Sequence, residues 1–395
     1  MKNFFILLLS IVILYSCESK PDRKFNIEDV ISKTETQLTY ACNIIKANTS
    51  GTKVLPRSVE GDKLIMVPTS DWTSGFFPGS LWMMHDLTGD SKWKDKAIEY
   101  THLLESQQYN TGTHDVGFMM YCSYGHGYKT TKNEKYKDIL IQTAKSLASR
   151  YNDTIKCTRS WDHSTNLYTY PVIIDNMMNM ELLLWASKAT GDDTYKNIAL
   201  NHADTTIKNH FRADNSSYHV VDYSPETGKV LQKITNQGYA DNTAWARGQA
   251  WGLYGFTVMY RETGLKRYLE QAEKIAKVVI SYPNLSDDKI PYWDMNAPKI
   301  PNEPRDASAA AITASALYEL SGFSSHKETY LEFANQTLST LVSDNYLNKV
   351  GTHHGFLLDH STGNMPKNSE IDVPIVYADY YFLEALKRKK ELHGK

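Results

Sequence analysis

Four cysteines in 395 residues, with no CxxC pair, leave this chain without a disulfide framework or the spacing of a zinc site. Charge of one sign is lacking too. Forty-three basic residues face 45 acidic ones, the formal net charge is -2, and the basic residues are spread out. A nucleic-acid binder needs a basic footprint, so no nucleic-acid partner is expected. Linkers are also scarce: after about Arg23 no Pro/Gly/Ser-rich stretch or charge block divides the chain. Although the length exceeds the usual size of one domain, a single domain over residues 31–390 is the expectation.

The chain does begin with an apolar run, residues 4–15, behind a lysine and ahead of Leu14-Tyr15-Ser16-Cys17. That run is too short to span a bilayer and reads as an export signal over residues 1–17. The LYSC ending resembles a bacterial lipobox, which implies cleavage before Cys17 and lipidation of its thiol. Residues 18–30 would then be a short tether. The expectation is an exported bacterial lipoprotein, periplasmic or associated with the outer membrane, that meets the membrane only through its lipid. The other cysteines, Cys42, Cys122 and Cys157, allow one disulfide and require none.

Aromatic residues are plentiful, with 26 Tyr and 8 Trp. Such rings serve saccharide subsites and aromatic cores alike. Their densest use is NQGYADNTAWARGQAWGLYGF, residues 236–256, which reads as one helix. Within it Arg247, Trp251 and Tyr254 fall at i, i+4 and i+7, on one stripe. Gly248, Gly252 and Gly255 cost that helix about 1 kcal/mol each relative to alanine, so they call for either close packing or room for a ligand. The stripe suits a flat anionic ring, but a core helix with its arginine paired to a buried carboxylate explains it as well.

Five segments repeat a polar turn, an aromatic and usually an alanine four residues on: Trp93 and Ala97, Tyr136 and Leu140, Tyr195 and Ala199, Tyr268 and Ala272, Tyr330 and Ala334. The helix before each turn is often apolar and small-rich, while the helix after it carries Lys and Glu on one face. An inner helix buried all round, followed by an amphipathic outer one, is what a double-ring barrel requires. The fold class expected is all-α, an (α/α)6 barrel of six helical hairpins with minor β-hairpin insertions, one of them pairing residues 218–222 with 230–235.

Two aspartates stand where helices should start: Asp115 in GTHDVGFMMY and Asp175 in YPVIIDNMMNM. Helix capping accounts for either. The neighbours of Asp175, however, are Val172, Ile173, Ile174, Met177 and Met178, and burial among them would raise its pKa toward that of a general acid. Paired carboxylates beside aromatic platforms are what glycosidic chemistry uses. Asp71, Asp372 and Asp379 are further candidates of the same kind.

Taken in order, DWTSGFFPGSLW, HDVGFMMY, YPVIIDNMMNMELLLWAS, QGYADNTAWARGQAWGLYGF, PYWDMNAP with RDASAAAITAS, and EIDVPIVYADYYFLEAL resemble the unsaturated glucuronyl hydrolases of glycoside hydrolase family 88. The resemblance runs from about Asp71 to Leu386. It implies removal of a 4,5-unsaturated uronic acid from the non-reducing end of lyase-generated glycosaminoglycan oligosaccharides, by vinyl ether hydration. It also implies Asp175 as acid/base and Asp115 as the second essential aspartate, with His219, Gln237, Trp245, Arg247, Trp251 and Trp72 as substrate contacts. No metal or organic cofactor is implied. Two other readings stand beside this one: an unsaturated rhamnogalacturonyl hydrolase acting on pectin fragments, and a glycan-binding lipoprotein without catalysis. Finally, His353, His354, His360 and Lys367 occupy one segment, as sulfate contacts or as a solvated loop.

Overall fold

A computed structural model describes residues 25–393, so the segment read as signal peptide, Cys17 and residues 18–24 of the tether lie outside the described residues. Helix α1 (Ile27–Asn48) starts at an Asn26 cap, inside the stretch read as tether, so residues 27–30 belong to the folded domain.

Four of the five repeated turns end a helix on a residue in the left-handed region, and three of them cap the next helix with the side chain that follows. Helix α2 (Phe76–Thr88) ends on Gly89 at φ 72°, and Asp90 then caps α3 (Ser91–His102) by accepting from Lys92 N–H. Glycine takes that left-handed position without strain, and aspartate satisfies one of the bare N–H groups of the next helix. Helices α4 (Val116–Met120) and α5 (His126–Thr131) are joined by the π-turn Tyr121–Gly125 into one rod, followed by Asn133 capping α6 (Glu134–Ala148). Gly191 and Asp192 separate α7 (Met180–Thr190) from α8 (Asp193–Asn209). Helices α9 (Ala246–Thr263) and α10 (Lys266–Ile280) turn at Gly264, and α11 (Ala307–Leu320) and α12 (Lys327–Leu341) form the next hairpin.

Helix α13 (Val376–His393) packs between α11 and α2 and closes the inner ring. Its outer partner is α1, tied to it by Lys390 and Glu28 at 2.9 Å. Among the described residues, then, two rings of six helical units form an α/α barrel, and the sixth pair comes from the two ends of the chain. That is why five turns, not six, carry the repeated signature. The repeated aromatics Trp93, Tyr136, Tyr195, Tyr268 and Tyr330 are all buried. They wedge the outer ring onto the inner one.

The β structure sits at the N-terminal ends of the inner helices. The strand Val220–Tyr223 pairs with Val230–Ile234, as the sequence indicated, and also with Pro171–Ile173, which makes a three-stranded antiparallel sheet. Two hairpins, Leu55–Glu60 with Lys63–Val67 and Ser361–Asn364 with Ser369–Val373, lie over the same end. Cys42, Cys122 and Cys157 are free thiols, all buried.

Candidate active site

Asp175 is the second residue of the 3-10 turn Ile174–Asn179, which follows directly on the strand Pro171–Ile173. Ile174 N–H donates to the His219 carbonyl at 3.0 Å, so the sheet fixes where the aspartate emerges. The turn then lies against α9. A Cβ on Gly255 would stand 2.5 Å from Met177 Cβ, and one on Gly248 would stand 2.9 Å from Trp245 Cε3 and 3.3 Å from Ile174 Cγ2. Gly255 therefore makes room for the segment carrying Asp175, and Gly248 for the Trp245 ring as well as Ile174.

Asp175 is 8% exposed. Burial raises its carboxyl from 3.8 to about 7; Arg247 opposes the rise and Asp115 adds to it. Asp115 immediately precedes α4, yet its side chain caps nothing. It accepts from Thr113 Oγ1 at 2.7 Å and lies 3.3 Å from His114 Nε2. Both aspartates stand at helix starts and neither spends its oxygens on capping there.

The two carboxylates share a cavity of about 310 Å³, together with Trp72, Gln237, Trp245 and Arg247. Six of the eight expected site residues are thus brought to one place. His219 stands beside Asp175, with its Nε2 3.9 Å from Asp175 Oδ2 and its ring 4.5 Å from that of Trp245. Trp251 does not line the cavity. Wholly buried, it packs 5.1 Å from Phe118 and 5.4 Å from Tyr381, beneath the floor.

The stretch read as one helix from 236 to 256 is two things. Helix α9 starts only at Ala246, because Trp245 is held extended by its bridge to Asp294 and Gln237 belongs to the preceding loop. Asp294 shapes that loop by accepting from Tyr239 N–H and Thr243 Oγ1. The stripe on α9 also divides: Arg247 reaches the cavity, Trp251 the floor, and Tyr254 a second cavity of about 500 Å³ near the C-terminal ends of the inner helices. That larger cavity contains neither Asp115 nor Asp175.

Arg247 is 1% exposed and paired with the buried Asp306 at 2.6 Å. Its guanidinium also donates to the carbonyls of Thr362 and Gly363, and Gln237 Nε2 donates to the same Gly363 carbonyl. Arginine and glutamine thus hold the hairpin 361–373 over the site. Asp306 compensates the charge of Arg247, so what Arg247 offers the cavity is its remaining N–H groups beside the Trp245 ring, 4.5 Å away.

Arg57, Trp161 and Tyr377 line the cavity as well, and the sequence did not single them out. Arg57 bridges Asp71 at 2.8 Å and Glu370 at 2.6 Å, tying the two hairpins together across the rim. Trp161 stacks on His163 with an interplanar angle of 6°. No sequence periodicity marks these three: Arg57 sits on a strand, Trp161 at an isolated bridge to Thr113 and Tyr377 at the start of α13, and they converge only in the folded barrel. Of the basic residues between 353 and 367, Lys367 alone lines the cavity; His353 and His360 face Asp359 and Asp372. Asp379, read as a further candidate, is buried away from the cavity and accepts from Leu357 and Leu358 N–H. Among the described residues, no group of three or more His, Cys, Asp or Glu is placed to hold a metal.

The comparison with known proteins decides the family. Residues 44–385 match Glycosyl Hydrolase Family 88. The chain belongs to this family. It is 49% identical over 393 residues, 98% of each chain, to the unsaturated glucuronyl hydrolase of Formosa agariphila. It superposes with a TM-score of 0.89 on an unsaturated glucuronyl hydrolase specific for heparin, 44% identical, covering 94% of this chain and 99% of that one. A mutant of the enzyme from Streptococcus agalactiae complexed with dGlcA-GalNAc6S gives a TM-score of 0.77 at 27% identity, covering 94% and 93%. The family 88 chain described here is therefore a glycosidase, and its barrel is the fold of its relatives.

Proposed function

We propose that this glycosidase removes a 4,5-unsaturated uronic acid from the non-reducing end of glycosaminoglycan oligosaccharides left by polysaccharide lyases. The observation that carries the reading is Asp175: a buried carboxyl raised to about 7, in a cavity shared with a second aspartate and faced by tryptophans. Such a group keeps its proton under mildly acidic conditions, as a donor to carbon must.

The chemistry is hydration of the vinyl ether. Asp175 gives its proton to C4, and positive charge develops at C5, shared with the ring oxygen. Water adds at C5 and returns a proton to the Asp175 carboxylate. The resulting hemiketal opens and rearranges, expelling the aglycone, so the acid ends as it began. Asp115 orients the sugar, Arg247 and Gln237 receive the uronate carboxylate, and Trp72 and Trp245 bound the ring. Lys367, at the hairpin over the cavity, offers a cation to a sulfate on the next sugar.

Export behind a lipidated Cys17 would place the domain where lyase products arrive. The test is a panel of sulfated and unsulfated unsaturated disaccharides, followed by loss of the ultraviolet absorbance of the conjugated double bond. Turnover of heparin- or chondroitin-derived members supports the proposal; no loss with any of them sinks it.

A further inference from the structure

Each of the two aspartates is faced by a histidine whose proton position is fixed from behind. His219 Nδ1 lies 3.1 Å from the backbone N–H groups of both Asn236 and Gln237, which donate to it. A ring nitrogen that accepts cannot carry hydrogen, so the neutral ring holds its proton on Nε2. That Nε2 is buried with no protein partner, as is Asp175 Oδ2, and the two atoms face each other at 3.9 Å. At Asp115 the device recurs: Asn179 Oδ1 accepts from Phe118 N–H, which turns its Nδ2 toward His114 Nδ1 and leaves His114 Nε2 facing Asp115 at 3.3 Å.

We infer that His219 is a permanently neutral Nε2–H donor that, together with Asp175, holds the oxygen of the water that attacks C5. Two hydrogen bonds of about 2.8 Å meeting near a right angle span just the gap between His219 Nε2 and Asp175 Oδ2. The donor fixes the water by one lone pair, while Asp175, ionised once it has protonated C4, accepts the proton the water loses. His219 is a positioning residue in this account and neither gains nor loses a proton.

Its surroundings keep it neutral. The charged and titratable groups that face it are Arg247 from α9, Lys367 from the hairpin 361–373, His210 from the end of α8, His114 ahead of α4, and Asp175 itself. Burial first, then Arg247, hold the imidazole down at about 3. Protonating Nδ1 would set its new hydrogen against two N–H donors.

This inference rests on the hydration reading, and its test separates the two. In the 15N-labelled free protein, His219 should show a protonated Nε2 and an unprotonated Nδ1, unchanged from about pH 5 to about pH 9. The signal is assigned by its loss in His219→Gln. An Nδ1-protonated ring or an imidazolium in that range overturns the inference without any substrate. Kinetically, the amide nitrogen of His219→Gln reaches the Nε2 position, whereas His219→Asn keeps only an acceptor for the 236–237 backbone. The Gln variant should retain kcat within about tenfold and the Asn variant lose at least ~10²-fold, with KM changing less than kcat in both. Equal kcat in the two variants would mean that His219 merely supports the loop. If the wild type turns over no unsaturated disaccharide, the hydration reading fails and the water's role with it, while the tautomer stands on its own measurement.

Discussion

Asp175 is held in a protonation state that the unfolded chain does not share. Its carboxyl lies at about 7 in the fold, against 3.8 unperturbed, so between those values the native state binds a proton that the unfolded state has released. The sign follows. Through this group the fold loses stability as pH rises toward 7, by an amount on the order of a few kcal/mol. Asp175→Asn should therefore melt higher than wild type at about pH 8 and by a smaller margin at about pH 4. Calorimetry at the two pH values checks this; a margin that shrinks at high pH would contradict it. Activity should fall as pH rises through about 7, since the acid then loses its proton.

Arg247 is a different case. The sequence left it between ligand clamp and buried ion pair, and the structure shows the pair with Asp306. Arg247→Ala would strand Asp306, at a cost of about 3–5 kcal/mol, so lost activity in that variant says little about binding. Arg247→Lys keeps the charge but not the fork of donors. Steady-state kinetics should show a raised KM with kcat less affected; an unchanged KM would count against any contact with the uronate.

At the scale of elements, the site depends on how closely the turn Ile174–Asn179 approaches α9. Gly255→Ala puts a methyl group 2.5 Å from Met177 Cβ and 3.1 Å from its carbonyl carbon. Backbone must move, so a destabilisation of about 1–3 kcal/mol is expected together with a fall in kcat, because Asp175 rides on the same turn. A melting temperature and kcat both at wild-type values would show that the two elements are not coupled in this way. Much of this level was legible in sequence. The Gly-Asp and Lys-Asn turns announced the hairpins through local chemistry, and the glycines of α9 announced close packing. The start of α9 was misplaced: the residues from Asn236 to Trp245 read as part of the helix, whereas they follow bends and turns held by Asp294, 49 positions beyond Trp245. Arg57 left no signal at all, since its role comes from two carboxylates that only the closed barrel brings to it.

As a whole, the molecule is a closed double ring whose loops gather at one end, so residues from 57 to 377 meet in one cavity. We propose lipidation at Cys17: labelled palmitate should enter the wild type and not Cys17→Ser, and equal labelling of the two would overturn the lipid anchor. The fold of the barrel was readable from the alternation of all-buried and amphipathic helices, whereas its closure through the two chain ends was not, because contact between α1 and α13 has no local signature. The central claim is that Asp175 delivers a proton to carbon at C4 and that water adds at C5. It is tested most directly by turnover of an unsaturated disaccharide in D2O, with the product read by NMR. Early in the reaction one deuterium should stand at C4 of the released uronate in a single configuration, with none formed by Asp175→Asn. Release of the aglycone with C4 free of deuterium, or with deuterium spread over both configurations as ketonisation of a freed enol in solution leaves it, would contradict delivery by Asp175.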